Sequence, residues 1–333
     1  WHSAQLAVDA VPRLVHGDAK AIGAVRARLE DIQALGEPAS VGGTLLANAD
    51  AVLGLFEDEA GAARRCPTGV ADLDLALGGG LGARELGYVV GATKLGKSFF
   101  LSHIAALAAL RDLVCVYITL ELSKAQVYLR LFADLFDEEL TPLRDRLEAA
   151  DAGVRAETRE HLRASLASFL SDRRGRLVVE WLDPGSPVSA VRSVVESVER
   201  RYGARPQLLC VDMADHLSAD TAQDSTYAAG GAVTSLLRQI AIDWKIPVWT
   251  ASHSTRGAAG SKLVVETAVA DSMHKARRCD VMVTLCQTPE EKEAKVLRLY
   301  LALNRNREGG LVFGPYTDAR SRGRLVDEAG GHL

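Results

Sequence analysis

One short stretch of the sequence, residues 91–98, carries the pattern Gly-x-x-x-x-Gly-Lys-Ser. Glycines in such a loop let backbone N–H groups curl around phosphate oxygens, and a following helix N-terminus adds partial positive charge. Lys97 can neutralise phosphate oxygens, and Ser98 can ligate Mg²⁺. An apolar strand at 87–90 precedes the loop and an apolar helix at 97–111 follows it, so the sequence predicts a site for ATP and Mg²⁺. We assign nucleotide contacts to Gly91, Thr93, Lys94, Leu95, Gly96, Lys97, Ser98 and Phe99.

Two acidic residues stand where predicted strands end. Asp212 follows four apolar residues, 208–211, and emerges at the carboxyl end of a buried strand, where it can hold a hydrated metal ion. The alternative interpretation is an ordinary aspartate in the turn after the strand. Glu121 ends a strand at 116–120 and is the candidate to polarise the attacking water, provided that it lies within hydrogen-bond reach. The alternative is an exposed glutamate at a helix start near Ser123.

These residues depend on a regular series of elements. From residue 67 onward, short apolar strands alternate with helices, which is typical of an α/β fold with a mostly parallel sheet flanked by helices. Residues 140–171 are charged and helical, which indicates an insertion on the outside of the sheet. Helices are predicted at 97–111, 123–136 and 186–202, and strands at 87–90, 114–119, 177–182, 208–212, 247–252, 281–286 and 296–303.

The beginning of the chain has a different pattern. Through residues 1–35, apolar residues recur at helical spacing, and glycine and proline residues interrupt the next stretch, 36–43. We interpret residues 1–62 as a short helical linker or docking segment and residues 63–333 as the ATPase domain. A surface helix is the alternative interpretation of the first segment.

The composition is that of an ordinary globular protein, with 48% hydrophobic and 25% charged residues among 333. A net charge of −4 gives no general basic character for nucleic-acid binding, although a ring or groove can concentrate positive charge locally. The five cysteines have no Cys-x-x-Cys spacing, which favours small core residues over metal ligands. No apolar run approaches the ~20 residues that span a bilayer, so we expect a cytoplasmic protein without membrane contact.

Several segments resemble a known family over roughly residues 65–317. Residues 68–81 are similar to the lead-in of RecA-like ATPases of the DnaB, RadA and KaiC groups. The sequence Thr-Leu-Glu-Leu-Ser-Lys-x-Gln-x-x-x-Arg at 119–130 resembles the stretch after the second strand of DnaB-type replicative helicases. Residues 247–253 and 302–307 continue this resemblance. It implies that residues 63–333 form a RecA-like P-loop NTPase core.

The resemblance also implies roles for individual residues. Lys97, Ser98 and Asp212 would bind nucleotide and metal, and Glu121 would be the catalytic base. Arg305 would be an arginine finger that reaches from one subunit into the ATP site of the next, where it stabilises charge on the transferred phosphoryl group. Such a finger implies a homo-oligomeric ring, a hexamer in this family.

Two further positions match the family, and three differ from it. Arg130 matches an arginine near the nucleotide, with a solvated helix residue as the alternative. His253 stands where the family has a γ-phosphate-sensing glutamine and can still donate a hydrogen bond. Thr93 and Lys94 replace the usual proline followed by serine or glycine, and Leu303 replaces a lysine two residues before the finger. These departures concern hydrolysis and its coupling to movement more than ATP binding.

Nucleic-acid contacts are implied by the resemblance more than by the side chains. In this family, loops after two neighbouring strands grip single-stranded DNA. The first such loop, 214–226, contains three aspartates and neither Lys nor Arg, so its side chains would oppose DNA phosphates. The second loop contains the candidates Arg256 and Lys262. A small basic cluster at 274–278 comes after it, for which a solvated helix face is the alternative.

The sequence favours a hexameric, ATP-hydrolysing motor that resembles a DnaB-type helicase and translocates on single-stranded DNA, with a loading or recruiting protein as a further partner. Two alternatives stay open. One is a nucleotide-regulated assembly or switch ATPase without translocation, which His253, Leu303 and the acidic first loop favour. The other is a recombinase-like ATPase that forms filaments. Stimulation of ATP hydrolysis by single-stranded DNA separates a motor from a switch.

Overall fold

The computed structural model describes residues 65–171, 176–221, 226–255, 263 and 272–327. The predicted N-terminal segment, 1–62, and the two candidate DNA contacts, Arg256 and Lys262, lie outside these residues. Within the described ranges, no helix combines the length and apolar character needed to cross a membrane.

A single sheet runs through the described part of the chain. Its strands are β1 (Leu86–Gly91), β2 (Val114–Thr119), β3 (Arg176–Trp181), β4 (Leu208–Asp212), β5 (Val248–His253), β6 (Val281–Cys286), β7 (Val296–Asn304), β8 (Leu311–Asp318) and β9 (Val326–Asp327). They are ordered β3-β2-β4-β5-β1-β6-β7-β8-β9. All pairs from β3 to β6 in this order are parallel, and the pairs from β6 to β9 are antiparallel. The predicted mostly parallel α/β sheet is confirmed.

Helices cover both faces of this sheet. They are α1 (Ala71–Leu77), α2 (Lys97–Leu110), α3 (Lys124–Leu135), α4 (Leu140–Glu148), α5 (Ala152–Ser171), α6 (Val188–Tyr202), α7 (Thr226–Trp244), α8 (Ser272–Arg278) and α9 (Pro289–Glu293). Helices α2 and α3 pack on one face, and α6 and α7 pack on the other. Strands β1, β2, β4 and β6 are therefore buried along their whole length, which explains their almost uninterrupted apolar sequences.

The seven predicted strands all occur, each within one residue of its predicted ends. The sequence does not predict β8, because Gly314-Pro315 interrupts it and its residues alternate between half-buried and exposed. It also does not predict α7, whose early part contains Gly230-Gly231. The helical insertion at 140–171 corresponds to α4 and α5, which share a small core with α3.

The carboxyl ends of four adjacent strands, β2, β4, β5 and β1, lie at one edge of the sheet. In the strand register, Gly91 pairs with His253 and Thr119 pairs with Asp212. Residues that come directly after these strands are far apart in the sequence, but they meet at this edge. This is where ligands bind in open parallel sheets.

Candidate nucleotide-binding site

The glycine loop connects the end of β1 to the start of α2. The backbone is left-handed at Lys94, with φ of 65°, and at Gly96, with φ of 108°. A Cβ atom on Gly96 would lie 2.5 Å from Leu325 Cδ1, so only glycine fits without displacing its neighbour. This turn brings the loop to the N-terminus of α2, a helix of 14 residues. The first N–H groups of that helix and its dipole favour an anion here.

Lys97 is held inside the loop. It is only 6% exposed, and its Nζ donates to Gly91 O at 3.0 Å and to Ala92 O at 3.1 Å. Burial lowers the pKa of its ammonium group, whereas the negative charges of Glu121 and Asp212 oppose that shift. The ammonium therefore sits at the mouth of the loop, where it can exchange carbonyl oxygens for phosphate oxygens.

Asp212 provides a buried carboxylate beside the loop. Its Oδ2 accepts a hydrogen bond from the Tyr117 hydroxyl at 2.9 Å, and its Oδ1 has no hydrogen-bond partner among the described residues. Burial raises the pKa of this carboxyl group, while the nearby Ser98 hydroxyl and Arg130 favour the ionised form. An unpaired buried carboxylate oxygen next to a serine hydroxyl suits Mg²⁺, which usually takes one or two protein ligands and completes its shell with water and phosphate.

The described residues contain no cluster of three or more His, Cys, Asp or Glu side chains that forms an all-protein metal cage. This agrees with a metal that is held mainly by nucleotide phosphates and water, with Ser98 and Asp212 as the protein ligands. The donor set therefore fits Mg²⁺ bound together with ATP.

Arg130 reaches the same region from α3. Its guanidinium lies 4.1 Å from the centre of the Phe99 ring, and its Nη1 is buried without a hydrogen-bond partner among the described residues. Burial lowers the pKa of Arg130, and the charges of Asp212 and Glu121 oppose this shift. Arg130 is therefore not a solvated helix residue. Glu121 is exposed and follows β2, close enough to influence the pKa of both Lys97 and Arg130.

His253 ends β5 next to the loop. Its Nδ1 lies 3.2 Å from Lys97 Nζ, and its backbone N–H donates to Asp215 Oδ2 at 2.8 Å. Burial lowers the pKa of the imidazole, and the adjacent Lys97 charge lowers it further. The neutral form, which the Lys97 contact favours, presents Nδ1 as an acceptor to that lysine and leaves Nε2–H as a donor.

Sequence reasoning missed two contacts of this site. Tyr117, two residues before the end of β2, positions the Asp212 carboxylate. Arg320, from a 3₁₀ turn after β8, donates to Lys94 O at 2.6 Å and is paired with Asp318. No local pattern marks either residue, because each acts on a segment that is distant in the sequence.

Comparison with known proteins decides which family the site belongs to. A family model described as "DnaB-like helicase C terminal domain" matches residues 66–310, roughly three quarters of the chain. The chain belongs to this family. It is therefore a DnaB-type helicase ATPase, as its resemblance to that family led us to expect. No curated protein matches the chain by sequence.

Solved structures share the fold of this DnaB-like domain. One of them, a structure of an isolated ATPase domain, is 17% identical, with a TM-score of 0.69 over 86% of this chain and 99% of that chain. A DnaB-like replicative helicase, solved in a study of its interactions with primase, is 17% identical, with a TM-score of 0.67 over 97% of this chain and 76% of that chain. The RecA-like core is thus shown by structure as well as by sequence.

Arg305 does not join the glycine loop of its own DnaB-like domain. It follows β7 and donates to Arg277 O at 2.9 Å and to Cys279 O at 3.2 Å, while its Nε lies 3.3 Å from Asp280 Oδ1. Asp280 also accepts from the backbone N–H of Leu86, the first residue of β1. Arg305 therefore lies at the amino edge of the parallel strands. Lys97 lies beyond the opposite end of β1, about 17 Å along the sheet.

Two expectations about charges near the DNA loops of this DnaB-like domain are wrong. Asp215 and Asp220 do not face outward as free charges: Asp215 pairs with Lys275 at 2.7 Å, and Asp220 accepts from the backbone N–H of Ser189 at 2.8 Å at the start of α6. Lys275 is 5% exposed and therefore does not belong to a solvated basic cluster. Both corrections have the same cause, since long-range pairing neutralises charges that look exposed in the sequence.

Proposed function

We propose that this chain is the motor domain of a ring-shaped helicase that hydrolyses ATP with Mg²⁺ and translocates on single-stranded DNA. The observation that carries the proposal is the convergence of Lys97, Asp212 and His253 on the glycine loop in a DnaB-like domain. The loop amides and Lys97 would hold the β- and γ-phosphates. Ser98 and Asp212 would hold Mg²⁺, which neutralises charge on the phosphates when bound.

Within this proposal, Glu121 is the catalytic base. It is exposed at the carboxyl edge and acts electrostatically on Lys97 and His253, so an attacking water beside the γ-phosphate would lie within its range. His253 would donate from Nε2 to a γ-phosphate oxygen. Arg130 would contribute positive charge from the side of Phe99.

The placement of Arg305 supports assembly into a ring. Because its guanidinium lies at the sheet edge opposite its own Lys97, it can serve only the site of another copy. A head-to-tail arrangement that closes gives each site one neighbouring Arg305, and six copies are the expected number. Leu303 is half-buried against the core face formed by α6 and α7, so it contributes no second cation at the boundary.

DNA binding is proposed on the central loops. The structure weakens the objection from the acidic first loop, because Asp215 and Asp220 are engaged within the domain. Arg256 and Lys262 are the candidate contacts to DNA phosphates. A loading or recruiting protein is a further proposed partner, by analogy with the relative solved for its interactions with primase.

The test is steady-state ATP hydrolysis with and without single-stranded DNA, with Lys97→Ala as the blank. We expect several-fold stimulation by single-stranded DNA and little by duplex DNA. Arg256→Ala combined with Lys262→Ala should reduce the stimulation and leave basal hydrolysis intact. Arg163→Ala with Arg159→Ala, on the exposed insertion helix α5, is the matched control for lost surface charge.

Unchanged hydrolysis in the presence of DNA would contradict the motor and favour the switch ATPase. Electron microscopy of negatively stained particles with bound nucleotide tests the ring separately. Closed rings are expected, and open filaments would support the recombinase-like alternative.

A further inference from the structure

A buried polar network lies beneath His253. Asp215, in the 3₁₀ turn after β4, accepts hydrogen bonds from the Ser252 hydroxyl at 3.0 Å and from the His253 backbone N–H at 2.8 Å. Lys275, in α8, donates to Asp215 Oδ1 at 2.7 Å and to Ser252 Oγ at 2.8 Å. Three elements that are separate in the sequence are thus joined by one ion pair.

The pair is well shielded from water. The side chains of Lys275 and Asp215 are 6% and 19% exposed. A charge at this depth is costly without its partner, so each residue makes the other necessary. The Asp215 carboxylate receives donors from three residues, which leaves it little freedom to rotate.

The position of His253 depends on this network. Its backbone N–H is fixed by Asp215, and the preceding Ser252 is fixed by both members of the pair. The imidazole Nδ1 then lies 3.2 Å from Lys97 Nζ in the glycine loop. Removing Lys275 would free the carboxylate that holds the His253 backbone.

We propose that Asp215 and Lys275 are positioning residues for ATP hydrolysis, which hold His253 in contact with Lys97 by clamping the end of β5 between the β4 turn and α8. The inference rests on the proposed function, in which His253 contacts the γ-phosphate. It assigns a role to Lys275 and Asp215 that neither the glycine loop nor the sequence pattern reveals.

A double-mutant cycle tests this proposal. Turnover and the affinity for a fluorescent ATP analogue are measured for Lys275→Met, His253→Ala and the combination of the two. We expect each single change to lower kcat by about tenfold, with nucleotide affinity changed much less. The combination should be no slower than His253→Ala alone, because Lys275 acts through His253.

Two further variants make the result decisive. Arg298→Met removes an ion pair of similar exposure, 10% and 21%, with Glu291 and far from the site, so it should lower the melting temperature and leave kcat unchanged. Asp215→Asn keeps the shape and one acceptor oxygen, and it should lower kcat even if Lys275→Met does not fold.

Independent, multiplying effects of Lys275→Met and His253→Ala on kcat would overturn the proposal. Normal kcat in both Lys275→Met and Asp215→Asn, with impaired His253→Ala, would overturn it as well and leave the proposed function standing. Normal kcat in His253→Ala would contradict the role of His253 itself, and the positioning role would fall with it.

Discussion

Lys97 and Asp212 show how burial prepares charged groups for a ligand. Burial shifts the pKa of the lysine down and that of the aspartate up, so each is pushed toward its neutral form. Carbonyl oxygens of the loop hold the ammonium, and one carboxylate oxygen stays without a hydrogen bond from any described residue. Bound nucleotide with Mg²⁺ supplies the opposite charges that both groups lack, so binding relieves the cost of their burial.

The first prediction concerns the glycine loop. Lys97→Ala removes the cation that faces the phosphates, and we expect loss of detectable ATP binding in a fluorescence titration with a labelled analogue. Lys124→Ala is the control, since Lys124 is 46% exposed and pairs with Glu180 outside the site. Tight ATP binding by Lys97→Ala would rule out the assignment of the loop.

The second prediction separates stability from activity at Asp212. Asp212→Asn removes a buried carboxylate whose Oδ1 is unpaired among the described residues, so the melting temperature without nucleotide should not fall. Turnover should drop on the order of 10²-fold or more, because a ligand for the metal is lost. Thermal melts and hydrolysis assays check both parts. Wild-type turnover would remove Asp212 from the metal site.

At the scale of elements, the carboxyl edge of β2, β4, β5 and β1 brings the site together, and local sequence predicts most of it. The loop, its strand and its helix are contiguous, so their pattern is sufficient. Asp215 and Lys275 are 60 positions apart, and their pairing depends on how α8 packs against the end of β5. Pairing of this kind cannot be read from spacing. Likewise, β8 is ordered mainly by its antiparallel partner β7, not by an apolar pattern of its own.

The third prediction concerns the turn into α2. Gly96 and Gly185 both have positive φ, at 108° and 89°, but a Cβ on Gly185 would meet nothing within 4 Å. Gly185→Ala should therefore lower the free energy of unfolding by about 1 kcal/mol through backbone strain alone. Gly96→Ala should cost at least about 1 kcal/mol more, because the methyl group collides with Leu325. Urea denaturation of the two variants makes the comparison. Equal losses would mean that Leu325 does not restrict the turn.

At the scale of the whole molecule, the two ends of the sheet have different roles. The carboxyl edge carries Lys97, Asp212 and His253, whereas the amino edge carries Arg305, held by Asp280 and two backbone carbonyls. One domain therefore has a nucleotide site at one edge and a candidate finger at the other. A single copy cannot bring the two together, so the complete catalytic site requires a neighbour in the ring.

The most direct test of this claim is turnover by a mixture of two inactive variants in the presence of single-stranded DNA. Arg305→Ala should bind ATP normally but hydrolyse it on the order of 10³-fold more slowly, and Lys97→Ala should bind no ATP. In mixed rings, the intact glycine loop of the first variant meets the intact Arg305 of the second, so the mixture should regain a substantial fraction of wild-type turnover. A mixture that stays as inactive as its components, although native mass spectrometry shows mixed rings, would contradict the account.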